Sequence, residues 1–425
     1  MKTLLFTTIS LLIPYLCPSQ SPPLPYWDMP FLDPLINPTG GASMLSNDTI
    51  WTRLYFATPQ LGTYAMSPMI SFLNGYFLGT WKLSPQDEDQ PGQKIMWSMS
   101  EDGINWTPTD GTNVLFPSMN STQNPGVALF AEPSLYINNH VYAAASPIQF
   151  CLYPDQYQDR LLLRRVYGIN NFGPIFWAST TIPSGYEQAS QMHNITTVLQ
   201  QDTITQTDIA TLTPTSITPP CPDPSIANGT KCEACIGACQ TWSVALNVSS
   251  LENERSHYHV PNSATEMLLY RSHNRVLYAS TRDKVGNNWT VPVQTNITDT
   301  VANFNAGNLP NNAGAYLVSN AMINFWRDPL FFSTTVDGYA FTNTAVLGTC
   351  ENNTIFANPP DQPWGCLYRY NGGAKEGGLQ YVQCSLVTQP VNVEGFYCIV
   401  SQNKEDIWVS KTPLSAVLDM VNTKK

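Results

Sequence analysis

The stretches "SEDGINW" (Ser100–Trp106) and "TVDGYAF" (Thr335–Phe341) are two copies of one small turn. Each follows a short apolar run, "IMWSM" before the first and "PLFFST" before the second. In such a turn the Asp carboxylate accepts hydrogen bonds from backbone N–H groups, the Gly adopts a positive φ, and the aromatic residue packs under the hairpin. A longer variant is "TRDKVGNNW" (Thr281–Trp289). Three copies after comparable strands predict a repeated structural unit.

The strands around these turns define a longer repeat. Each unit has a turn, an alternating apolar strand, a connection and a second strand with an aromatic residue, and one more strand-like run lies upstream. Five units begin at the stretches "NGYFLGTWKLS" (74–84), "NNHVYAAAS" (138–146), "ATEMLLYRS" (264–272), "NAGAYLVSN" (312–320) and "VEGFYCIVSQ" (393–402).

This repeat predicts an all-β fold. A sheet of three or four antiparallel strands cannot bury both of its faces alone, so repeated sheets of this kind stack radially into a β-propeller. We expect six blades, the sixth built with N-terminal residues such as "TIWTRLYFAT" (49–58), and five blades as the alternative. Abundant Pro, Gly, Asn, Thr and Tyr agree with a strand- and turn-rich body.

The first twenty residues predict a secretory signal peptide, because Lys2 precedes an apolar run too short to span a bilayer and "CPSQS" follows it. We expect residues 21–425 to form one secreted, monomeric domain without a membrane span, with a Thr- and Cys-rich insertion at about 190–241. N-x-S/T sequons agree with a glycosylated surface. They lie at Asn47, Asn105, Asn120, Asn194, Asn228, Asn247, Asn288, Asn296 and Asn352.

Cysteine usage and charge limit the classes of partner. Cys232, Cys235 and Cys239 cluster near Cys221 without a His at ligand spacing, which favours a disulfide-stapled loop over a zinc site in an oxidising compartment. The cysteines after the signal peptide are odd in number, so at least one is free or pairs outside the chain. A formal net charge of −11 without a basic run excludes nucleic acid as a partner. We expect no metal and no other cofactor.

The turns resemble the Asp box of sialidase-like propellers. The phrases "PGQKIMWSMSEDGINW", "VLYASTRDKVGNNW", "RDPLFFSTTVDGYAF" and "NKEDIWVS" together look like the secreted sialidase-like glycoside hydrolases. The resemblance implies that Asp102, Asp283 and Asp337 are structural and lie opposite the binding cleft. It also implies a carbohydrate partner. Asp boxes specify the fold more strongly than the activity.

The resemblance places the long insertions around the cleft. These are residues 84–93 and 146–165, between second and third strands, and residues 190–241 and 348–366, between blades. Long loops at one end of a rigid scaffold are a common place for binding and catalysis. A disulfide between Cys350 and Cys366 is expected to staple the last of these loops.

Four residues are the catalytic candidates. Glu132 interrupts the apolar strand "FAEPS", where an unpaired carboxylate would be costly, so it is expected to have a partner or a catalytic role. Asp87 and Asp89 crowd one loop with Glu88, and like charges this close raise at least one pKa, which suits a general acid. Tyr381 in "GLQYVQC" occupies the equivalent inner-strand position of the last unit and is a candidate for a sialidase-like nucleophile, with a core tyrosine as the slightly favoured alternative.

An anionic sugar needs cationic partners, since guanidinium groups bind carboxylates bidentately. Arg271 ends a second strand, Arg327 heads "RDPL", and Arg164 or Arg165 is a third candidate. The predicted substrate-binding set also contains Glu254 in "ENERSHYH" and Asn320 at the end of "AYLVSN". The sequence departs from true sialidases because it lacks an "R-I-P" motif near its N-terminus, and Arg53 in "WTRLYF" is a poor substitute.

These observations predict a secreted exo-type glycoside hydrolase that removes a terminal, acidic or neutral, sugar. One alternative is a polysaccharide lyase on the same scaffold, with His257 or His259 and Tyr381 in β-elimination. Another is a glycan-binding propeller without catalysis.

Overall fold

The structure of the protein is a computed structural model. It describes residues 23–28, 41–88, 90–122, 126–149, 161–212, 251–283, 289–321, 327–350, 368–370 and 375–422. Several sequence expectations therefore lie outside the described residues: the signal peptide, Asp89, the Cys221–Cys239 cluster and Cys366.

Antiparallel sheets build the molecule, and we call each four- or five-stranded sheet a blade. Two short strands precede them, β1 (Tyr26–Trp27) and β2 (Ile50–Tyr55). Blade 1 contains β3 (Tyr64–Leu73), β4 (Tyr76–Ser84), β5 (Lys94–Ser100) and β6 (Val114–Phe116). Blade 2 contains β7 (Val127–Ile137), β8 (His140–Gln149), β9 (Leu162–Gly168), β10 (Asn171–Trp177) and β11 (Thr196–Thr197), the last of which is parallel to β10.

The second half of the chain supplies the remaining blades. Blade 3 contains β12 (Leu251–His259), β13 (Thr265–Ser272), β14 (Val276–Asp283) and β15 (Val293–Thr298). Blade 4 contains β16 (Asn305–Asn308), β17 (Ala315–Ser319), β18 (Leu330–Thr335) and β20 (Asn343–Gly348), while β19 (Ala340–Phe341) pairs with β1. Blade 5 contains β21 (Leu379–Val387), β22 (Gly395–Gln402), β23 (Asp406–Thr412) and β2.

The blades pack face to face, with their first strands β3, β7, β12, β16 and β21 innermost. The faces of neighbouring blades form shared apolar cores. Leu78 of blade 1 packs with Leu129 of blade 2, and Phe332 of blade 4 packs with Phe396 of blade 5. The structure thus has the predicted all-β propeller architecture. The number of six blades stays a prediction, because residues 213–250, between blades 2 and 3, lie outside the described ranges.

The N-terminal strand does not begin a blade of its own. The predicted contribution of residues 49–58 to a sixth blade is wrong, because β2 pairs with β23 and completes blade 5. Trp51 lies opposite Ser410, and Thr52 lies opposite Val409. Strand β2 is therefore the outer strand of the sheet that the C-terminal strands form.

Blade 2 differs from the sequence expectation in its outer strands. The segment "LLLRR" was expected to belong to the connection 146–165, but Leu162–Gly168 forms the third strand and Asn171–Trp177 the fourth. Helices α1 (Glu187–Met192) and α2 (Thr203–Ala210) follow, and a third helix, α3 (Leu414–Asn422), follows β23. None of the helices in the described ranges is long and apolar enough to cross a membrane.

The connections divide the molecule into two ends. We call the end that carries the connections from second to third strands the upper end, and the end with the first-to-second and third-to-fourth turns the lower end. Both predicted Asp-Gly turns join a third strand to a fourth, β5 to β6 and β18 to β20, so they lie at the lower end.

The Asp-Gly turns have the predicted hydrogen bonds. Asp102 Oδ1 accepts from the backbone N–H groups of Ile104 and Asn105 at 2.8 and 2.7 Å. Asp337 Oδ1 accepts equivalent bonds from Tyr339 and Ala340 at 2.7 and 2.8 Å. The glycines that follow have φ of 71° (Gly103) and 81° (Gly338), which only glycine adopts at little steric cost. Part of the Asp283 turn lies outside the described residues.

Helix α2 reaches the lower end, although the whole insertion 190–241 was expected at the cleft. Asp208 accepts hydrogen bonds from Asn138 Nδ2 at 3.0 Å and Tyr142 Oη at 2.7 Å, and lies 2.7 Å from His140 Nδ1. Asn138 lies in the turn between the first and second strands of blade 2, and His140 begins the second strand, β8. Burial opposes the charge of Asp208, but these hydrogen bonds lower its pKa. The helix is thus fixed over the apolar face of blade 2.

One disulfide lies within blade 5. Cys384 of β21 and Cys398 of β22 are directly opposite in the register and are covalently joined. Cys350 is also disulfide-bonded, but the predicted partner Cys366 is outside the part of the chain that the structure describes.

Candidate functional site

Charged side chains from four of the blades converge at the upper end. We call this group the central charged cluster, and most of its members are buried. It consists of Lys82, Glu88, Arg271, Arg327, Glu376, Tyr381 and Lys404.

Tyr381 lies in a strained part of the innermost strand β21. Its φ is 55°, and the pairing register of β21 with β22 shifts between Gln380 and Gln383. A bulky residue with positive φ is rare, and a β-bulge redirects a side chain, so both features are typical of functional sites. The Tyr381 ring lies 5.3 Å from the guanidinium carbon of Arg327 and 5.5 Å from the ammonium nitrogen of Lys404.

Three other innermost strands have a bulge at a comparable position. The register shifts in β3 after Met66, in β7 after Glu132 and in β12 after Leu251. Glu254 lies within the shifted part of β12, and Tyr381 lies within that of β21. The structure therefore places three sequence candidates, Glu132, Glu254 and Tyr381, in or directly next to the bulges of the innermost strands of different blades.

Two neutral oxygen acceptors hold the side chain of Arg327. Its side chain is 4% exposed, Nη1 donates to Gln380 Oε1 at 2.6 Å, and Nη2 donates to the Val301 carbonyl at 2.7 Å. Nη2 also lies 2.5 Å from Glu376 Oε2. Burial acts against its charge, but the neighbouring Tyr381 and Glu376 raise the pKa of Arg327 above its ordinary value. The guanidinium is therefore charged and fixed.

The backbone of Arg327 is positioned by Asn320, which was expected to bind substrate directly. The Asn320 amide donates to the carbonyls of Arg327, Pro329 and Leu379 at 2.9, 3.2 and 3.0 Å. Gly378 passes so close that a Cβ there would lie 2.2 Å from the Arg327 carbonyl oxygen. Arg271, at the end of β13, is also buried, and its charge opposes protonation of Arg327, so the two cations are neighbours.

Two lysines that the sequence reasoning missed surround Glu88. Lys82 Nζ lies 3.2 Å from Glu88 Oε1, and Lys404 Nζ lies 3.6 Å from Glu88 Oε2. Burial opposes the charge of Glu88, but the two ammonium groups and a hydrogen bond from Tyr64 lower its pKa to about 2. Lys82 also lies 4.1 Å from the ring centre of Phe130. The predicted acidic loop thus contributes one carboxylate that is only 19% exposed and is paired with two ammonium groups.

Lys404 lies in the tight turn between β22 and β23. The connection spans residues 403–405, and Asn403 and Lys404 have φ of 58° and 55°, so both residues adopt the left-handed conformation typical of tight hairpin turns. Burial lowers the pKa of Lys404, and Glu88 acts in the opposite direction. The constrained turn therefore holds the buried Lys404 ammonium in a fixed position.

The two proton-transfer candidates have different surroundings. Ser146 Oγ donates a hydrogen bond to Glu132 Oε1, and burial raises the pKa of Glu132. Asp87 Oδ1 accepts from the backbone N–H of Glu88 at 2.7 Å, and its charge favours the protonated form of Lys375. Glu132 is therefore the carboxyl whose environment favours a proton. Asp89, the third candidate, lies outside the described residues.

A second buried carboxylate supports the cluster. Glu405 accepts hydrogen bonds from the backbone N–H groups of Arg369 and Tyr370 at 2.9 and 2.7 Å and from Lys375 Nζ at 3.0 Å. These contacts fix residues that precede β21 against the turn that carries Lys404. Glu405 was not recognised from the sequence.

The remaining arginine candidates lie in blade 2 with other partners. Arg165 Nη1 lies 3.6 Å from Asp202, and its guanidinium stacks on Tyr167. Arg164 donates to the carbonyls of Gly173 and Leu115 at 2.7 and 3.2 Å. These contacts tie Arg164 and Arg165 to neighbouring strands and to the helical insertion.

His257 and His259, the candidates for a lyase, lie on one face of β12. Tyr258, between them, packs into the core shared with blade 4, so the two histidines face away from blade 4. Their ring centres are 6.3 Å apart, and His259 Nδ1 lies 3.5 Å from Glu266. Strand β16 packs between β12 and β21, which carries Tyr381. In the described ranges, no group of three or more His, Cys, Asp or Glu could hold a metal ion.

Comparison with known proteins supports the fold. No protein-family model matches the sequence, and no curated protein does. A solved structure described as a sialidase is similar over 92% of this chain, with a TM-score of 0.65 and 16% identity, and this chain covers 35% of it. A Trypanosoma rangeli sialidase mutant that displays trans-sialidase activity is similar over 90% of this chain, with a TM-score of 0.50 and 10% identity. This chain covers 61% of that mutant.

The chain thus spans about a third of one of these proteins and about three fifths of the other. At such identities the likeness shows the fold, which is that of a sialidase-like β-propeller, as the sequence resemblance predicted. The chemistry must be argued from the central charged cluster.

Proposed function

We propose that this protein is a glycoside hydrolase that removes a terminal acidic sugar, with Tyr381 as nucleophile. The observation that carries the proposal is the position of Tyr381: its ring lies against the cations of Arg327 and Lys404, on a bulge with a left-handed backbone. Such strained, redirected residues cluster at active sites.

Cations beside a phenol serve two chemical purposes. They stabilise the ionised, phenolate form of the tyrosine, which is the stronger nucleophile. They also attract the carboxylate of an acidic sugar. Arg327, Arg271 and Lys404 are buried, so their electrostatic interactions are stronger than in water. In this mechanism they hold the sugar carboxylate while Tyr381 Oη, its proton released to solvent, forms a bond to the anomeric carbon and the bond to the leaving oxygen breaks.

Proton transfer to the leaving oxygen requires a carboxylic acid near the scissile bond. We assign this role to Glu132 or Asp87. Burial raises the pKa of Glu132, which suits a proton donor near neutral pH. Asp87 lies in the upper-end loop beside Glu88, where a leaving group would depart toward solvent. Water then releases the sugar from Tyr381 as the same carboxyl group takes a proton.

The test uses 4-methylumbelliferyl glycosides of N-acetylneuraminic acid, glucuronic acid and glucose. We expect the wild-type protein to release the fluorophore from at least one acidic glycoside. Tyr381→Phe, which removes only the nucleophilic oxygen, should lower kcat by about 10³-fold or more. Tyr136→Phe is the matched control, because Tyr136 is 52% exposed near the lower end. Full activity of Tyr381→Phe would reject the mechanism.

The same assay separates the alternatives. With a second glycoside that has a poor alkyl leaving group, Glu132→Gln and Asp87→Asn identify the proton donor, since only the donor variant should lose activity on that glycoside and keep it on the methylumbelliferyl glycoside. Binding of an acidic sugar without turnover would indicate a glycan-binding propeller. An ultraviolet-absorbing product from a uronate polymer, lost in His257→Ala, would indicate a lyase.

A further inference from the structure

Glu376 occupies an unusual position in the central charged cluster. Its Oε2 lies 2.5 Å from Arg327 Nη2 and 3.5 Å from Lys404 Nζ. The Glu376 side chain is 44% exposed, whereas the side chains of both cations are 4% exposed. A half-exposed carboxylate therefore covers two buried cations from the solvent side.

The two cations do not depend on Glu376 for their positions. Arg327 donates to Gln380 Oε1 and to the Val301 carbonyl, and its backbone is fixed by Asn320. Lys404 lies in a constrained turn and pairs with Glu88 at 3.6 Å. If the Glu376 carboxylate left, both cations would remain where they are, ready for another carboxylate.

The location is the one that a ligand carboxylate would use. Arg327 and Lys404 are also the two cations that lie against the Tyr381 ring. A carboxylate bound between them would therefore place an attached sugar ring next to the tyrosine. Glu376 already presents this chemical group at this place.

We propose that Glu376 is an internal substitute for the carboxylate of an acidic sugar, and that the ligand displaces the Glu376 side chain from Arg327 and Lys404. The inference rests on the proposed function for the class of ligand. It adds that the site is partly blocked by its own chain, and that Glu376 lowers the affinity for acidic sugars.

The effect on affinity follows from competition. An acidic ligand must break the contacts of Glu376 with both cations. Because the Glu376 side chain is 44% exposed, these contacts are taken at the upper limit of a solvent-screened ion pair, about 1 kcal/mol, which corresponds to about 5-fold in affinity. Glu376→Gln keeps the side-chain volume but removes the charge. We therefore expect it to bind acidic sugars about 5-fold more tightly and neutral sugars with unchanged affinity.

The experiment measures binding of N-acetylneuraminic acid, glucuronic acid and glucose by ligand-observed NMR titration. The variants are Glu376→Gln, Lys404→Met and, as a control, Glu101→Gln, which removes the same charge from an exposed lower-end position. Glu376→Gln should tighten binding of at least one acid, Lys404→Met should weaken it, and Glu101→Gln should leave it unchanged. The thermal unfolding midpoint of each variant checks its fold.

Three results would overturn the inference: unchanged or weaker binding of both acids by folded Glu376→Gln, equal tightening for glucose, or no acid binding by any variant. If Lys404→Met fails to fold, the Glu376→Gln result decides alone. Tighter acid binding without hydrolysis of any glycoside would retain the inference and reject the hydrolase. Hydrolysis of glycosides without an effect of Glu376→Gln on acid binding would retain the hydrolase and reject the inference about Glu376.

Discussion

Lys82 Nζ lies 3.2 Å from Glu88 Oε1, and no part of the lysine side chain is exposed. A fully buried ammonium is stable only with a partner, and loss of one member leaves the other charge inside the protein. The pair joins the second strand of blade 1 to the loop that carries Asp87. It therefore links the stability of blade 1 to the geometry of the upper end.

The first prediction concerns this pair. Lys82→Met should lower the free energy of unfolding by about 3 kcal/mol, because among the described residues Glu88 then keeps Lys404 alone as an ammonium partner. The double variant Lys82→Met/Glu88→Gln should recover part of the loss, since it leaves no unpaired carboxylate. Urea unfolding at neutral pH measures both. A double variant less stable than the single one would contradict the argument.

The second prediction is a pH dependence of stability. The pKa of Glu88 is lowered to about 2 from an ordinary value of 4.5. Its stabilising contribution is therefore complete above pH 4.5 and disappears as the pH falls through that value toward 2. Glu88→Gln should show a weaker loss of stability over this range. The comparison uses thermal unfolding midpoints between pH 6 and pH 2.5, and parallel curves would refute it.

The third prediction separates the two ends of the molecule. Asp102→Ala and Asp337→Ala each remove an acceptor for two backbone N–H groups, so each should destabilise the protein by about 1–2 kcal/mol. Binding of acidic sugars should not change, because both turns lie at the lower end. Glu101→Ala, in the same turn as Asp102, is the control with no expected effect. Altered sugar affinity in the folded variants would show that the ends are coupled.

The fourth prediction concerns helix α2. Asp208→Ala removes the acceptor shared by Asn138, His140 and Tyr142, so α2 should detach from blade 2. Limited proteolysis should then cleave within 203–212 at least several-fold faster, while the thermal midpoint of the blades falls only slightly. Asp202→Asn keeps an oxygen acceptor at the start of the helix and serves as the control. Equal cleavage rates would mean that apolar packing alone holds the helix.

The fifth prediction tests Glu132 through its neighbour. The hydrogen bond from Ser146 lowers the pKa of Glu132, against the larger effect of burial. Ser146→Ala should therefore raise this pKa further. If Glu132 donates the proton, the alkaline limb of the pH–kcat profile should move to higher pH. A profile identical to that of the wild type would assign the titration to another group.

The sequence reasoning predicted much of the fold because strand alternation and turn chemistry are local. The Asp102 and Asp337 turns contain all of their hydrogen-bonding groups within a few residues, and the alternation in β4, β13, β17 and β22 is visible in the chain itself. The role of β2 was missed for the opposite reason. Pairing between Trp51 and Ser410 joins distant parts of the chain, and nothing local specifies it.

The candidate site shows the same limit. Arg271, Arg327 and Tyr381 were found because each stands at a strand end or in a repeat position. Lys82 and Lys404 were missed, since a lysine near a strand end or in the polar turn "NKED" usually faces solvent. Both lysines are buried because the loop that carries Glu88 meets the turn that carries Lys404, and this contact joins distant parts of the chain. The position of Lys82 within the largely apolar run "FLGTWKLS" is a signal that could have indicated its burial.

The pairing of β2 with β23 has a consequence for biosynthesis. During translation, the strand that completes blade 5 leaves the ribosome long before its partner, and it must wait until residue 412 has emerged. Until then the ring stays open, and Lys404 has no neighbours from the early blades. The nascent chain therefore completes blade 5, and with it the central charged cluster, only near the end of synthesis.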